Sequence, residues 1–245
     1  RGVDLDRMSA ELLGKKPGLS QGKGGHMHIY DPAVNFASSG IIAEGMAPAA
    51  GMALARRLQK KPGIAVTFLG EGAANQGAFH EVLNMVGLWK LPVITVVQDN
   101  EWGVSTAKSE STAIERNSDR AASYGLAGEY VASNDPDDIY EATVRAVERA
   151  RSGKGGTILE LKTARLQGHF MGDQQAYIPE QMKQVDPLPL YRAKLVKLGV
   201  LSEADADAIE AAAKARMEKA MTFAKEPPYP NPSEAFDHVF AGGAQ

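Results

Sequence analysis

The chain has 245 residues, enough to bury one full α/β core with a further appendix. Lys plus Arg total 27 against 30 Asp plus Glu, and the resulting net charge of −3 argues against nucleic acid as the main partner. There are no cysteines, which excludes disulfides, thiolate metal sites and a Cys nucleophile, and no apolar run approaches the ~18 residues of a membrane span.

Val3 to Leu13 reads as a short helix stopped by Gly14. Lys15 to Ser39 is rich in Gly, Lys and Pro and reads as loop. Ile41 to Leu58 is dominated by Ala, Gly and Met, which suits a helix packed closely on its neighbours. Ile64-Ala65-Val66-Thr67-Phe68-Leu69 is short, apolar and partly β-branched, the pattern of a buried strand. Gly77 to Lys90 reads as a helix and Val93 to Val97 as the next strand. Asn117 to Tyr124 is expected to be helical and Glu129 to Ser133 a short strand. Asp135-Pro136 reads as an N-cap followed by Pro at the first helical position. That helix carries Ile139, Thr143, Ala146, Val147 and Ala150 on one face and stops at Gly153. Thr157 to Lys162 is another strand, with His169 in the loop after it. Asp186 to Tyr229 should hold two helices, the second starting near Ser202. The alternation predicts a doubly wound, mostly parallel α/β sheet over residues 1–185 and a C-terminal helical tail over 186–245.

The chemistry concentrates where the first two strands end. Gly70-Glu71-Gly72-Ala73-Ala74-Asn75-Gln76-Gly77 follows one strand and Asp99-Asn100 follows the next. Parallel strands joined by a helix bring their C-terminal ends to the same sheet edge, where such folds bind ligands. Glu71 and Asn100 should therefore meet. Gly72 and Ala73 sit where free helix amides take a phosphate. A carboxylate among such amides repels phosphate unless a cation lies between them. Glu71 and Asn100 offer the hard oxygens that Mg²⁺ takes together with phosphate. A Rossmann turn is the nearest alternative, with Gly70-x-Gly72 and Asp99 placed for a ribose hydroxyl. Asn75 stands where its third Gly is needed, and Glu71 would face a pyrophosphate unshielded.

The stretch from Gly70 to Thr106 resembles the thiamin diphosphate motif, a G-D-G turn followed by a paired Asn. Gly72-Ala73-Ala74-Asn75-Gln76-Gly77, Leu83-Asn84-Met85 and Leu88-Trp89-Lys90-Leu91-Pro92 more narrowly resemble the alpha subunit of the 2-oxo acid and acetoin dehydrogenases. Gly22-Lys23-Gly24-Gly25-His26-Met27-His28 and Gly168-His169 fit the same family. The resemblance implies thiamin diphosphate and Mg²⁺ as cofactors. It implies decarboxylation of a 2-oxo acid, or acetoin cleavage, with the acyl group passed to the lipoyl arm of a partner acyltransferase. It further implies a beta subunit in an alpha₂beta₂ assembly and a cytoplasmic location, or the mitochondrial matrix in a eukaryote. The side chains of Glu71 and Asn100 and the carbonyl of Trp102 would hold the metal. Gly70, Gly72 and Ala73 would cradle the diphosphate, and the backbones of Gly40 and Ile42 the aminopyrimidine. His169 would touch diphosphate at the mouth of the active site, and His28 would lie near the cofactor's reactive end.

Several positions depart from that pattern. Asp is usual at the Glu71 position in pyruvate and acetoin types, whereas branched-chain types have Glu, which reaches about 1.5 Å further. Asp99 replaces the first Asn of the pair. In kinase-regulated relatives a Ser follows the His at position 169, but here Phe170 follows, and no Ser or Thr occurs from Gly168 to Tyr177. Tyr177 fits the family's Tyr-Arg pair, but Ile178 replaces the Arg. The family's upstream Tyr-Arg segment for the diphosphate has no counterpart here, and a chain starting at Arg1 reads as a fragment, silent on targeting. His26 and His28 face the same way on an extended segment, yet no third His or Cys completes a metal site. His80-Glu81 lacks the second His of a zinc protease. A transketolase-like subunit and a non-catalytic scaffold on the same fold are the other classes this sequence admits.

Overall fold

A computed structural model describes residues 1–237 and Val239. In chain order its main elements are α1 (Leu5–Leu12), β1 (Tyr30–Asp31), β2 (Phe36–Ala37), α2 (Met46–Leu58), β3 (Ala65–Gly70), α3 (Gly77–Leu88) and β4 (Val93–Asp99). There follow β5 (Trp102–Gly103), β6 (Thr106–Ala107), α4 (Lys108–Ser111), β7 (Ala127–Val131), α5 (Pro136–Arg151), β8 (Thr157–Lys162), α6 (Pro187–Lys197) and α7 (Glu203–Lys225). Contacts divide the chain into two compact units, residues 41–197 and residues 1–40 with 198–245.

In the larger unit four strands form a parallel sheet in the order β3-β4-β8-β7. Side chains alternate across it. Ala65, Leu69, Val93, Val97 and Ile158 face α2 and α3, meeting Met46, Ala49, Ala50, Ala53, Phe79, Val82, Leu83 and Val86. Ile94, Val96, Val131, Leu159 and Leu161 pack on the opposite side against Ala142 and Ala146 of α5. Helices therefore cover both faces, as expected of a doubly wound sheet. Full burial of Phe79 contributes about 1.5–3 kcal/mol and ties α3 to the sheet beneath it.

Several boundaries move. The helix expected from Ile41 begins at Met46. Pro48 explains this, since its missing N–H costs nothing in a first turn but would break a helix already under way. The first strand is not buried on both faces: Val66 and Phe68 are 45% and 64% exposed. It is an edge strand, and α5 packs chiefly on the strands beyond it. Asn117–Tyr124 is 3₁₀ and closes on Gly125. The strand expected at Glu129–Ser133 lies two residues earlier, at Ala127–Val131, because Asp135 caps α5 and the residues before it lead into that cap.

In the smaller unit α1 packs along α7, and Arg216 Nη1 reaches Asp6 Oδ1 at 2.6 Å. Ser202 and Asp205 form a reciprocal capping box that starts α7. Ala206, Ala220 and Ala224 are its buried residues, small enough for close helix approach. The segment expected to be all loop, Lys15–Ser39, contains the short antiparallel pair β1–β2 around a 3₁₀ turn at Pro32–Val34.

Candidate active site

Register places the ends of β3 and β4 side by side, with Gly70 opposite Gln98. The chain leaves β3 through Glu71 into a 3₁₀ turn, Gly72–Asn75, and the side chain of Gln76 caps α3 by accepting from Ala78 N–H. Glu71 is 1% exposed. Its Oε2 accepts the backbone N–H of Asn100 at 3.3 Å, so the two residues do meet. Among the described residues its Oε1 is buried with no hydrogen-bond partner. Burial pushes the Glu71 carboxyl above its ordinary value, and the charge of Asp99 adds to the rise. The N–H groups of Glu71 and Asn100 and the Lys108 ammonium pull the other way without cancelling it.

Asn100 folds back, its Oδ1 accepting from Trp102 N–H at 3.1 Å, which leaves that oxygen a second lone pair. Trp102 opens the β5–β6 hairpin, whose Gly103 lies against Gly72. A Cβ at Gly72 would come 3.3 Å from Gly103 Cα, tighter than ordinary packing. Ala73 is half-buried against the core under α3. Among the described residues no three His, Cys, Asp or Glu side chains converge on a metal position. A cation here would therefore draw on two side-chain oxygens, a carbonyl and ligand oxygens, the mixed set Mg²⁺ takes with phosphates.

Beneath this loop lies a buried charge cluster. Lys108 Nζ pairs with Asp99 Oδ2 and, at 3.1 Å, with Glu160 Oε1. Glu160 Oε2 also accepts Ser118 N–H at 2.7 Å. Burial would lower the Lys108 ammonium, but its two carboxylate hydrogen bonds hold it above the ordinary lysine value. Burial pushes Asp99 up against the pull of Lys108. At Glu160 burial is outweighed by N–H donors from Ser118 and Asn117 and by Lys108, so its carboxyl lies low. Asp99, occupied in this way, is not presented to a ribose hydroxyl, and the dinucleotide alternative loses its acidic residue.

The loop carrying His169 is tied to the same edge. Arg165 donates to Val104 O at 2.9 Å and to Tyr177 OH at 2.7 Å. Tyr177 OH donates to Asp173 Oδ2 at 2.7 Å, and its ring lies 5.4 Å from that of Trp102. Gln184 Nε2 donates to Asn100 O at 2.8 Å. Arg165 thus supplies a guanidinium to Tyr177 although Ile178 follows it. The His169 imidazole is exposed, while its N–H donates to Asp173 Oδ2 at 2.8 Å. Asn100, Trp102, Arg165, Gln175, Ile178 and Gln184 contribute to the walls of a cavity of about 100 Å³ behind this loop. Ile42 is exposed in this unit. His26, His28 and Gly40 belong to the smaller unit, where both imidazoles are exposed and Gly40 sits against Met27.

The profile of the dehydrogenase E1 component family matches residues 1–233. The alpha subunit of acetoin:2,6-dichlorophenolindophenol oxidoreductase from Bacillus subtilis is 38% identical over 249 residues, covering 98% of this chain and 73% of that protein. The corresponding subunit from Cupriavidus necator is 37% identical, covering 98% and 74%. The pyruvate dehydrogenase E1 component subunit alpha of Porphyra purpurea is 35% identical, covering 98% and 74%. The chain belongs to the dehydrogenase E1 component family. Thiamin diphosphate is the cofactor this family implies, and its alpha subunits act with a beta subunit. The residues of this E1 chain fit such a group. Among the described residues Glu71 Oε1 is a buried acceptor without a partner, of the kind a cation would satisfy, and the absence of a side chain at Gly72 lets the turn pack against Gly103 beside it. Lys108, Glu160, Arg165 and Gln184 escaped sequence reasoning. Glu160 alone left a signal: a charge inside the otherwise apolar Thr157–Leu161 segment has to be paired.

Proposed function

We propose that this chain is the alpha subunit of a thiamin diphosphate-dependent dehydrogenase that cleaves a 2-oxo acid or acetoin and passes the acyl group to a lipoyl carrier. The buried, unpartnered Glu71 Oε1 beside Asn100 carries this reading. Glu71, Asn100 and the Trp102 carbonyl hold Mg²⁺. Gly70, Gly72 and Ala73 turn the backbone so that its N–H groups meet the diphosphate. When bound, the cofactor supplies a carbon nucleophile and an electron sink. His169 donates a hydrogen bond to diphosphate at the entrance, and His28 moves a proton at the reactive end, where an imidazole works near neutral pH. Gly40 and Ile42 orient the aminopyrimidine through their backbones. The partner beta subunit completes an alpha₂beta₂ assembly, and a lipoyl-bearing acyltransferase takes the product. The enzyme works in the cytoplasm, or in the mitochondrial matrix of a eukaryote.

The test is turnover of the chain assembled with its beta subunit, using 2,6-dichlorophenolindophenol as oxidant. Pyruvate plus water and oxidised dye should give acetate, carbon dioxide and reduced dye. Acetoin and branched-chain 2-oxo acids are the parallel substrates. The rate should require both Mg²⁺ and thiamin diphosphate, and Glu71→Gln should weaken cofactor binding at least about tenfold in calorimetry. Activity on sugar phosphates alone, or cofactor affinity unchanged in Glu71→Gln, would overturn the proposal.

A further inference from the structure

The glycine-rich loop of the smaller unit looks like an anion cradle, but its anion is already inside the chain. Glu11, on α1, is 0% exposed. Its Oε2 accepts the backbone N–H of Ser20 at 2.7 Å and of Gly22 at 2.9 Å. Its Oε1 accepts those of Gly24 at 2.7 Å and Gly25 at 3.1 Å. Four backbone donors within six residues of the loop thus converge on one carboxylate, much as backbone nests take phosphates. The fit is close: a Cβ at Gly18 would lie 2.3 Å from Glu11 Oε2. Outside, the loop is held by exposed contacts: Lys16 Nζ to Glu234 Oε1 at 2.7 Å, and Lys23 Nζ to Glu234 O at 2.6 Å. Exposed lysine pairs hold little, whereas buried charge-assisted bonds hold strongly. A segment this rich in glycine loses much entropy on ordering and needs such an anchor.

We propose that Glu11 is the internal anion that builds the Gly18–His28 loop, and that it is the positioning residue for His28. His28 N–H donates to Gly24 O at 3.2 Å, so the histidine is one hydrogen bond from the cradle. The cradle, being filled, is closed to the cofactor's diphosphate. The link to turnover rests on the proton-transfer role of His28 proposed above. The formation of the loop does not.

The assembled enzyme is compared with its Glu11→Gln and Glu11→Ala variants by amide hydrogen exchange and by kinetics. In Glu11→Gln the amides of Ser20, Gly22, Gly24 and Gly25 should exchange at least about tenfold faster while β4 and β8 keep their protection. In Glu11→Ala acetate should restore protection, because the emptied cradle takes an external carboxylate. Turnover number should fall at least about tenfold with KM little changed, the mark of a group needed in the transition state. Should these two variants fail to fold, Glu11→Asp keeps the charge but draws it back from the loop by one methylene and should speed the same amides. Unchanged exchange at those amides overturns the proposal. Faster exchange with wild-type turnover overturns the positioning of His28. A wild-type enzyme without activity on any 2-oxo acid or acetoin would instead refute the function, leaving the exchange result to decide the cradle.

Discussion

At the scale of the residue, the site is a set of buried charges that would be costly alone. Lys108 is paired with both Asp99 and Glu160, and all three are nearly or fully buried. Lys108→Met should remove about 3–5 kcal/mol of stability, because two carboxylates would remain buried without their cation. Urea unfolding measures this, and adding Asp99→Asn and Glu160→Gln to the same chain should recover most of the loss. Glu71 is different, since one oxygen has no partner and burial already raises its carboxyl. Glu71→Gln should therefore melt no lower than wild type in the absence of cofactor, while its affinity for the cofactor should fall. That outcome would set stability against function at this position. His169 is exposed, and its backbone N–H donates to Asp173. His169→Ala should leave the melting temperature within about 1–2 °C of wild type, a surface change being worth at most about 0.5 kcal/mol. It should lower cofactor affinity and turnover together, and wild-type kinetics would return it to an ordinary surface role.

At the scale of the element, helix ends do much of the positioning. Asp135 caps α5 and Pro136 takes its first position, as the sequence suggested. The same turn receives α6: Lys194 Nζ lies 2.6 Å from Asp135 Oδ2 and 2.8 Å from Asp137 Oδ2, and Tyr191 OH donates to Asp137 Oδ1 at 2.7 Å. Hydrogen bonds from Lys194 hold both carboxyls below the ordinary aspartate value and raise Lys194 in turn. Depressed carboxylates contribute stability above their unfolded values and lose it as pH falls through the folded ones. A raised lysine contributes below its unfolded value and loses its share only as pH rises through the folded one. The melting difference between wild type and Lys194→Met should thus be flat between about pH 5 and 9 and vanish in stronger acid. A difference that persists below about pH 2 would show that the docking is not ionic. Elements of this kind were legible because caps and periodicity are local. The start of α2 is legible too, because Pro48 fits only the first turn of a helix. The exposure of Val66 and Phe68 was not, because it depends on which strands the helices cover. Glu71 and Asn100 could be paired in advance since each ends a strand, and parallel strands end together. Arg165 and Gln184 could not, since they reach that edge from a loop whose path is set by tertiary contacts.

At the scale of the whole molecule the argument is about charge. The chain carries a net −3, and its candidate site adds a buried carboxylate where a diphosphate should lie. Neither a negative cofactor nor a divalent cation alone relieves that arrangement. A diphosphate without metal would meet the Glu71 carboxylate, and a metal without diphosphate would meet too few oxygens, because among the described residues no group of three His, Cys, Asp or Glu side chains converges there. Binding should therefore be cooperative in the thermodynamic sense, each component raising the affinity for the other by the same factor. In thermal scans of the assembled enzyme, thiamin diphosphate with a chelator and Mg²⁺ without cofactor should each shift melting little. Both together, at about 100 times the dissociation constant, should stabilise by about 2.7 kcal/mol. Glu71→Gln should reduce that excess, because the amide offers the metal no charge and the diphosphate no repulsion to overcome. If thiamin diphosphate stabilised the enzyme equally with and without Mg²⁺, the cation would have no place between residue 71 and the phosphates, and the backbone turn at Gly72 would have to hold the cofactor by its amides alone.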